Sequence, residues 1–398
     1  MMEYFPGVYW PNLLFNNAMA SGATAGDMDD ACRSAQAVMR SGKSENDKEF
    51  KEALISGFTT VADKLDRLIA DDLRMKRAIS AGDKSFRLTA ILNCLELLMD
   101  DFYDPRKLTV FDRQRAAFKR ALQLSGGEHR RSRFIQVPFE GMKLDALFTP
   151  ADREGPAPVV IHLNGTHSTI EWQYLIGIVQ NLATRGIASL SIDHPGSGTA
   201  RYHHGLKYRP DSEYYTGAII DHISTLPEVD PTRIGVCGSS FGGYFAPRAA
   251  ARESRIGACV VWGATYKFPT HRYFPNGKPK NGTPLPSAYD EERARQQRWS
   301  HGAKDNIDLY DKMESYNISG DIGKIKVPLL IVHGKNDPQS PVAMAKRMFV
   351  EASGSPRAEL MIIGPEIGGD MHCNVDNPRT TTNAISDWLS EVFEVRRA

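Results

Sequence analysis

The strongest chemical pattern in the sequence is G-x-S-x-G, which occurs as Gly-Ser-Ser-Phe-Gly at residues 238–242. An apolar run precedes it and a helix-like segment follows, which is the context of a sharp strand-to-helix turn carrying a nucleophilic serine. The flanking glycines leave room where a Cβ would clash. Centring the pattern on Ser239 would require glycine at Cys237 and Phe241, so we predict Ser240 as the nucleophile. A Gly/Ser-rich turn in a non-catalytic protein is the plainer alternative.

A serine nucleophile needs a general base and an acid that orients this base. His372 lies in a glycine-rich loop after the last predicted strand, and Asp337 follows a buried strand earlier in the chain. The resulting order is serine, acid, histidine, as expected after such a turn. We predict His372 as the base and Asp337 as the acid that holds the imidazole in the correct tautomer. Asp370 and Asp376 are nearer to His372 in sequence, and we expect them to be solvated loop carboxylates.

Stabilising a tetrahedral oxyanion requires two backbone N–H groups. Phe241, directly after the nucleophile, is the first predicted donor. The second should come from the loop at 164–169, where Thr166 is the first choice and Gly165 the alternative. Another glycine turn, Asp-His-Pro-Gly-Ser-Gly at 193–198, contains neither a lysine nor G-x-G-x-x-G. We therefore interpret it as a strand-end turn and not as a phosphate-binding loop.

One long segment, residues 264–325, separates two predicted strands, and we interpret it as an insertion that forms part of a lid. Its first half is rich in basic and aromatic residues. A solvated loop is one interpretation, and a surface that attracts a carboxylate or phenolate substrate is the other. The candidate substrate-binding residues are Tyr266 and His271 in this segment and Trp172 after the oxyanion loop. No Cys or His spacing predicts a metal site, and no cofactor is expected.

Two patterns of apolar residues divide the chain into two domains. Residues 1–130 show helical periodicity, as in the run from 45 to 103, and predict an all-helical domain. In the domain at 131–398, short apolar runs alternate with amphipathic segments of helix length, which is typical of a mostly parallel sheet buried on both faces. The predicted strands lie at 133–139, 142–149, 159–163, 187–192, 234–237, 258–262, 329–333 and 360–363. The predicted helices between and after them lie at 172–184, 212–226, 241–251, 342–351 and 381–395.

The composition excludes several classes of function. The 398 residues carry Lys+Arg 49 and Asp+Glu 48, so no global field attracts nucleic acid or an anionic membrane. No apolar run approaches the roughly 18 residues that a membrane span needs. The apolar N-terminus contains Glu3, Pro6 and Pro11 and has no basic start, which argues against an export signal. The five cysteines are few and scattered, as expected for reduced thiols in a cytoplasmic protein.

Several longer motifs occur in a recognisable order. They are Ser-Thr-Ile-Glu at 168–171, the turn at 193–198, Glu-Val-Asp-Pro-Thr-Arg-Ile-Gly at 228–235, and the strand-to-helix turn that carries Ser240 with its continuation, at 238–248. With them, the chain resembles the serine hydrolases of the α/β-hydrolase superfamily that include 2,6-dihydropseudooxynicotine hydrolase and the fungal polyketide chain-shortening hydrolases of melanin pathways. This resemblance implies an α/β-hydrolase fold in which the helical domain caps the site.

The resemblance also implies a chemistry. The hydrolases that this chain resembles cleave carbon–carbon bonds beside a ketone as well as esters. Matching their motifs to this sequence places the catalytic triad at Ser240, Asp337 and His372. Some relatives carry an extra acid soon after the strand that follows the nucleophile helix, whereas no Asp or Glu occurs here from residue 254 to 289. Tyr266 or His271 would have to substitute for that acid.

The function that we favour is hydrolysis, through an acyl-enzyme, of a C–C bond beside a ketone, or of an ester, in a small aromatic or polyketide-derived substrate. The alternatives are a carboxylesterase or acyl-peptidase-like hydrolase, and a non-catalytic binding protein on the same fold. The expected partner is a small-molecule carbonyl or ester substrate of secondary metabolism, with no nucleic acid and no membrane. The sequence leaves open whether the protein forms a homodimer.

Overall fold

The computed structural model describes residues 1–44, 47–99, 101–280 and 284–395. The predicted helical run 45–103 and the predicted insertion 264–325 therefore include a few residues that lie outside the described ones, namely 45, 46, 100 and 281–283. The chain divides into two compact units. The first is all-helical and the second is built on a sheet.

The first unit comprises Met1–Arg133 with the short segments Tyr174–Gly177 and Val375–Pro378. Its helices bury apolar side chains at three- and four-residue spacing, as the periodicity predicts. Lys76, at φ +59°, separates the predicted run 45–103 into two helices. The helices are α1 (Tyr9–Ala20), α2 (Ala25–Arg40), α3 (Lys48–Arg74), α4 (Ala78–Leu98) and α5 (Pro105–Leu124).

The second unit contains eight strands among its described residues. They are β1 (Arg133–Phe139), β2 (Met142–Thr149), β3 (Ala157–Leu163), β4 (Ala188–Ile192), β5 (Val229–Ser239), β6 (Ile256–Trp262), β7 (Leu329–Gly334) and β8 (Ala358–Ile363). The strands form a sheet in the order β1-β2-β4-β3-β5-β6-β7-β8. Strand β2 runs antiparallel to β4, and the pairs from β4 through to β8 are parallel. Every residue of β3, β4 and β7 is buried, as a sheet covered on both faces requires.

Helices lie between these strands and after the last of them. They are α6 (Ile170–Leu175), α7 (Ile178–Ala183), α8 (Gly198–Tyr202), α9 (Ser212–Ile223), α10 (Gly242–Arg252), α11 (Ala288–His301), α12 (Asn306–Glu314), α13 (Val342–Glu351) and α14 (Pro378–Val392). The predicted fold class, a mostly parallel α/β sheet preceded by a helical domain, is confirmed. The predicted single helix at 172–184 is wrong, because Gly177 at φ +84° separates α6 from α7.

The predicted insertion between β6 and β7 contains α11 and α12 in its second half. The first half has a 3-10 turn at Thr270–Arg272. Within the described ranges, no helix is both long enough and apolar enough to cross a bilayer.

Candidate active site

Ser240 lies at the turn between β5 and α10, and its φ of +58° is a left-handed conformation that is uncommon for a residue with a side chain. The surrounding backbone approaches closely. A Cβ on Gly238 would lie 1.9 Å from the Gly242 carbonyl oxygen, and a Cβ on Gly242 would lie 2.3 Å from the Leu163 carbonyl oxygen. The Ser240 N–H donates to the Trp262 carbonyl at 2.8 Å, which ties the turn to β6. These contacts hold the Ser240 side chain at the carboxyl end of the sheet.

The three predicted triad residues meet in one hydrogen-bonded chain. The Nε2 atom of His372 lies 2.8 Å from Ser240 Oγ, and its Nδ1 atom lies 2.7 Å from Asp337 Oδ2. The other carboxylate oxygen, Asp337 Oδ1, accepts the backbone N–H groups of Gln339 at 2.7 Å and Ser340 at 3.0 Å. Because those two donors fix Oδ1, Oδ2 is the oxygen presented to the imidazole. The imidazole then donates from Nδ1 and can accept the serine proton at Nε2.

Burial and neighbouring groups change the pKa values of Asp337 and His372. Burial raises the pKa of Asp337, but the charge and hydrogen bond of His372, with the Ser340 N–H, lower it below its ordinary value. Burial lowers the pKa of His372, whereas the neighbouring Cys373 and the Asp337 carboxylate raise it, and the pKa of His372 is raised overall. The pair is therefore an ionised carboxylate beside an imidazole that binds a proton tightly.

A second histidine, His333, supports the acid loop. Its Nδ1 atom accepts the Ala264 N–H at 3.0 Å, and its Nε2 atom lies 2.8 Å from the Ser340 carbonyl oxygen, so the Nε2–H tautomer satisfies both contacts. Burial lowers the pKa of His333, which keeps the ring neutral. His333 therefore links the end of β6 to the loop that carries Asp337. The position of His333 at the end of a buried strand was the available sequence sign of this structural role.

The expectation that Asp370 and Asp376 are solvated is wrong for both side chains. Asp370 is buried, and its Oδ2 atom accepts a hydrogen bond from Asn336 Nδ2 at 2.6 Å. The Asn336 N–H also donates to the Asp370 carbonyl at 2.9 Å, so this pair joins the acid loop to the histidine loop. The Asp376 side chain is 3% exposed and lies 3.5 Å from the amino group of Met1. Sequence patterns do not reveal such partners because they come from distant parts of the chain.

The predicted oxyanion loop packs directly against the nucleophile. A Cβ on Gly165 would lie 2.7 Å from the Cβ of Ser240. The Gly165 N–H donates to Ser168 Oγ at 2.7 Å, so it is already engaged, which favours Thr166 over Gly165 as the donor. In the described part of the chain, the N–H groups of Thr166 and Phe241 have no hydrogen-bond acceptor. Neither of these two N–H groups is therefore engaged by another backbone group of the described residues.

The three candidate substrate-binding residues lie in different surroundings. Trp172 is buried, with its ring 5.9 Å from that of Trp262, the residue whose carbonyl anchors Ser240. The Tyr266 hydroxyl, in contrast, donates to Glu351 Oε2 at 2.5 Å, and Arg347 lies over its ring.

His271 is exposed and lines a cavity of about 310 Å³ together with Lys267, Phe274, Tyr310 and Glu314. The structure therefore packs Trp172 against Trp262, the residue that anchors the Ser240 backbone, whereas it pairs Tyr266 with α13. Among the residues that the structure describes, no group of His, Cys, Asp and Glu is arranged to hold a metal ion.

Comparison with known proteins identifies the family of this chain. The FrsA-like esterase family matches residues 112–366, which is more than half of the chain. The chain belongs to this family. As an FrsA-like protein it is an α/β-hydrolase, and the resemblance predicted from its motifs is confirmed.

Individual relatives of this FrsA-like chain extend over most of its length. It is 28% identical over 326 residues to the hydrolase LUC6 of Fusarium sp, covering 74% of this chain and 76% of the relative. It is 27% identical over 319 residues to the 2,6-dihydropseudooxynicotine hydrolase of Paenarthrobacter nicotinovorans, covering 79% of this chain and 78% of that protein. A crystal structure of the 2,6-dihydroxy-pseudo-oxynicotine hydrolase superposes with a TM-score of 0.72 and 19% identity, covering 95% of each chain. This structural similarity establishes the shared fold.

Proposed function

We propose that the protein is a serine hydrolase that forms an acyl-enzyme on Ser240. The observation that carries this proposal is the hydrogen-bonded chain from Ser240 Oγ through His372 to Asp337, with distances of 2.8 Å and 2.7 Å. A serine hydroxyl becomes a strong nucleophile when an oriented base takes its proton as it attacks.

The reaction proceeds in two halves. In the first, Ser240 Oγ attacks the substrate carbonyl carbon while its proton passes to His372 Nε2, and the N–H groups of Thr166 and Phe241 stabilise the resulting oxyanion. The tetrahedral intermediate collapses, and the leaving group departs with the proton from His372. In the second, a water molecule gives a proton to His372 and attacks the acyl carbon. Ser240 is released with its proton, and the product is a carboxylic acid. Asp337 stabilises the imidazolium in both halves.

For the substrate, we propose cleavage of a C–C bond beside a ketone in a small aromatic or polyketide-derived compound. The resemblance to hydrolases of this kind supports the proposal, as does the buried indole pair of Trp172 and Trp262, because the Trp262 carbonyl accepts the Ser240 N–H. A carbon leaving group must depart as an enolate or phenolate, which then receives the proton from His372. In this proposal residues 1–130 supply the cap and residues 264–325 part of a lid, in a cytoplasmic enzyme.

Ester cleavage is the second candidate, and one specific observation favours it. The Tyr266 hydroxyl, one of the two groups that could substitute for the extra acid of some relatives, donates to Glu351. No Asp or Glu occurs from residue 254 to 289 to replace it. An alkoxide leaving group needs only the proton on His372, so ester hydrolysis requires no further side chain.

Two measurements test this proposal. Intact mass after treatment with a fluorophosphonate should show one adduct on the wild type and on Ser239→Ala, and none on Ser240→Ala. Ser239 is the matched control because it is the adjacent serine and its Oγ contacts Gln173 Nε2 at 3.3 Å instead of a base. An adduct that persists in Ser240→Ala contradicts the assignment.

The second measurement compares single turnovers of a β-diketone and of an ester with matched acyl groups. Release of the carboxylic acid from the diketone at a rate within about 100-fold of the ester supports C–C cleavage. Rapid acylation by the ester with no product from any diketone leaves a plain carboxylesterase.

A further inference from the structure

The two proposed oxyanion donors, Thr166 and Phe241, lie on separate loops, and one side chain contacts both loops. Tyr208 is buried, being 5% exposed, and follows α8 in the chain. Its hydroxyl donates to the Thr166 carbonyl at 3.1 Å. Its ring lies 5.2 Å from the Phe241 ring at an interplanar angle of 67°, a favourable edge-to-face arrangement.

The Tyr208 hydroxyl lies on one side of the peptide unit that carries the Thr166 N–H. The Gly165 carbonyl oxygen of the same peptide unit faces this hydroxyl at 3.5 Å. Because the C=O and N–H of a trans peptide point in opposite directions, the Thr166 N–H points away from Tyr208. Arg201 Nη1 is a second donor to the Thr166 carbonyl, at 3.2 Å. The loop is thus held from one side, and its N–H faces the other.

The Phe241 side of the oxyanion hole is held by packing. The Phe241 ring lies 4.6 Å from Phe245, 5.0 Å from Phe268 and 4.9 Å from Tyr316, in addition to its contact with Tyr208. Phe268 and Tyr316 belong to the insertion at 264–325. Two residues of the insertion therefore belong to the aromatic packing that holds Phe241 in place.

The glycine turn at 193–198 is shaped to accommodate Tyr208. Gly196 has φ +90°, and a Cβ there would lie 2.1 Å from the nearest atom of the Tyr208 ring. Gly198 has φ +43°, and a Cβ there would lie 2.0 Å from the Asp193 carboxyl carbon. That carboxylate accepts the Thr199 N–H at 3.0 Å, where α8 begins. The sequence predicted a structural role for this turn. Its close approach to the Tyr208 ring helps to hold Tyr208 against the loop at 164–169.

We propose that Tyr208 is a positioning residue that sets the Thr166 and Phe241 N–H groups as a unit, with Arg201 as the second donor to the Thr166 carbonyl. This inference rests on the proposed function. Outright loss of one oxyanion donor lowers kcat by about 10²- to 10³-fold. Tyr208→Phe removes only the hydroxyl and keeps the ring, so we expect kcat to fall by about tenfold, with KM unchanged because the oxyanion forms only as the reaction proceeds and not in the bound substrate.

The test compares Tyr208→Phe with Tyr244→Phe, using 4-nitrophenyl acetate as substrate and a trifluoromethyl ketone as inhibitor. Tyr244 is the matched control because it is buried in the same aromatic cluster, whereas its hydroxyl donates to Pro210 at 3.2 Å. The ketone forms a tetrahedral oxyanion on a serine, so in Tyr208→Phe its affinity should fall by the same factor as kcat. The control should keep both values within about twofold of the wild type.

Two outcomes overturn the inference. One is a kcat for Tyr208→Phe within about twofold of the wild type, and the other is an equal loss in Tyr244→Phe, which would show a general packing effect. If Tyr208→Phe does not fold, Arg201→Lys takes its place, with the same parallel loss of kcat and ketone affinity expected. Fluorophosphonate labelling distinguishes a failure of the Tyr208 positioning from a failure of the proposed function. Labelled Ser240 with an unaffected Tyr208→Phe refutes the positioning alone, whereas unlabelled Ser240 refutes the proposed function and the positioning with it.

Discussion

Replacing Asp337 by asparagine changes the hydrogen-bonding character of one atom in the proposed triad. In the wild type, Oδ1 accepts the N–H groups of Gln339 at 2.7 Å and Ser340 at 3.0 Å, and Oδ2 accepts from His372. An asparagine keeps its carbonyl oxygen on those two backbone donors, so its NH₂ group faces His372 Nδ1. The Nδ1 atom must then accept, which places the imidazole proton on Nε2. In that tautomer His372 cannot take the proton of Ser240.

The expected loss in kcat is on the order of 10⁴-fold, or about 5 kcal/mol of transition-state stabilisation. Turnover of 4-nitrophenyl acetate measures this loss, and a thermal melt checks that the variant is folded. Asp370→Asn is the control, because Asp370 is also buried on the neighbouring loop but bonds to Asn336 and not to His372. Retention of more than about a tenth of wild-type kcat by Asp337→Asn, or a larger loss in Asp370→Asn, would contradict this role of Asp337.

Two further predictions follow from charges in the structure. Because His372 must be neutral to act as a base and its pKa is raised, kcat/KM should increase with pH through an apparent pKa above the ordinary histidine value of about 6.5; an apparent pKa at or below that value in a pH–rate profile contradicts this. In the helical unit, Lys107 Nζ lies 2.8 Å from Glu96 Oε1 with both side chains buried, so Lys107→Met should lower the free energy of unfolding by about 3–5 kcal/mol and Glu96→Leu/Lys107→Met by less. Urea unfolding measures both variants, and an equal loss in the two would show that isolating the charge is not the cause.

The parts of the fold that could be predicted depend on local sequence. The hairpin strands β1 and β2 have the predicted bounds, because the Glu140-Gly141 pair adopts positive φ values of +47° and +78°, as a tight two-residue hairpin turn requires. The buried strands were found because parallel strands read as continuous apolar runs. Gly177 was missed because periodicity continues across it, and only its backbone conformation separates α6 from α7.

The same distinction between local patterns and long-range contacts applies to the candidate site. Ser240, Asp337 and His372 could be named because each follows a strand or occupies a fixed pattern, and the structure brings them together. The supporting residues could not be named in these roles. The hydrogen bond between Asn336 and Asp370 spans 34 residues and that between Tyr208 and Thr166 spans 42, and neither pair has a distinctive spacing. Such contacts depend on the packing of whole elements, which a single sequence does not display.

In the proposed mechanism, Ser240 carries the acyl group during turnover. Rapid acid quenching of the wild-type enzyme with 4-nitrophenyl acetate, followed by peptide mass spectrometry, detects this acyl group. We expect one acetyl group per chain in the first turnover, on the peptide that contains Ser240, and its absence in Ser240→Ala. An acetyl group on another residue at the same rate, or full turnover by Ser240→Ala, would contradict it.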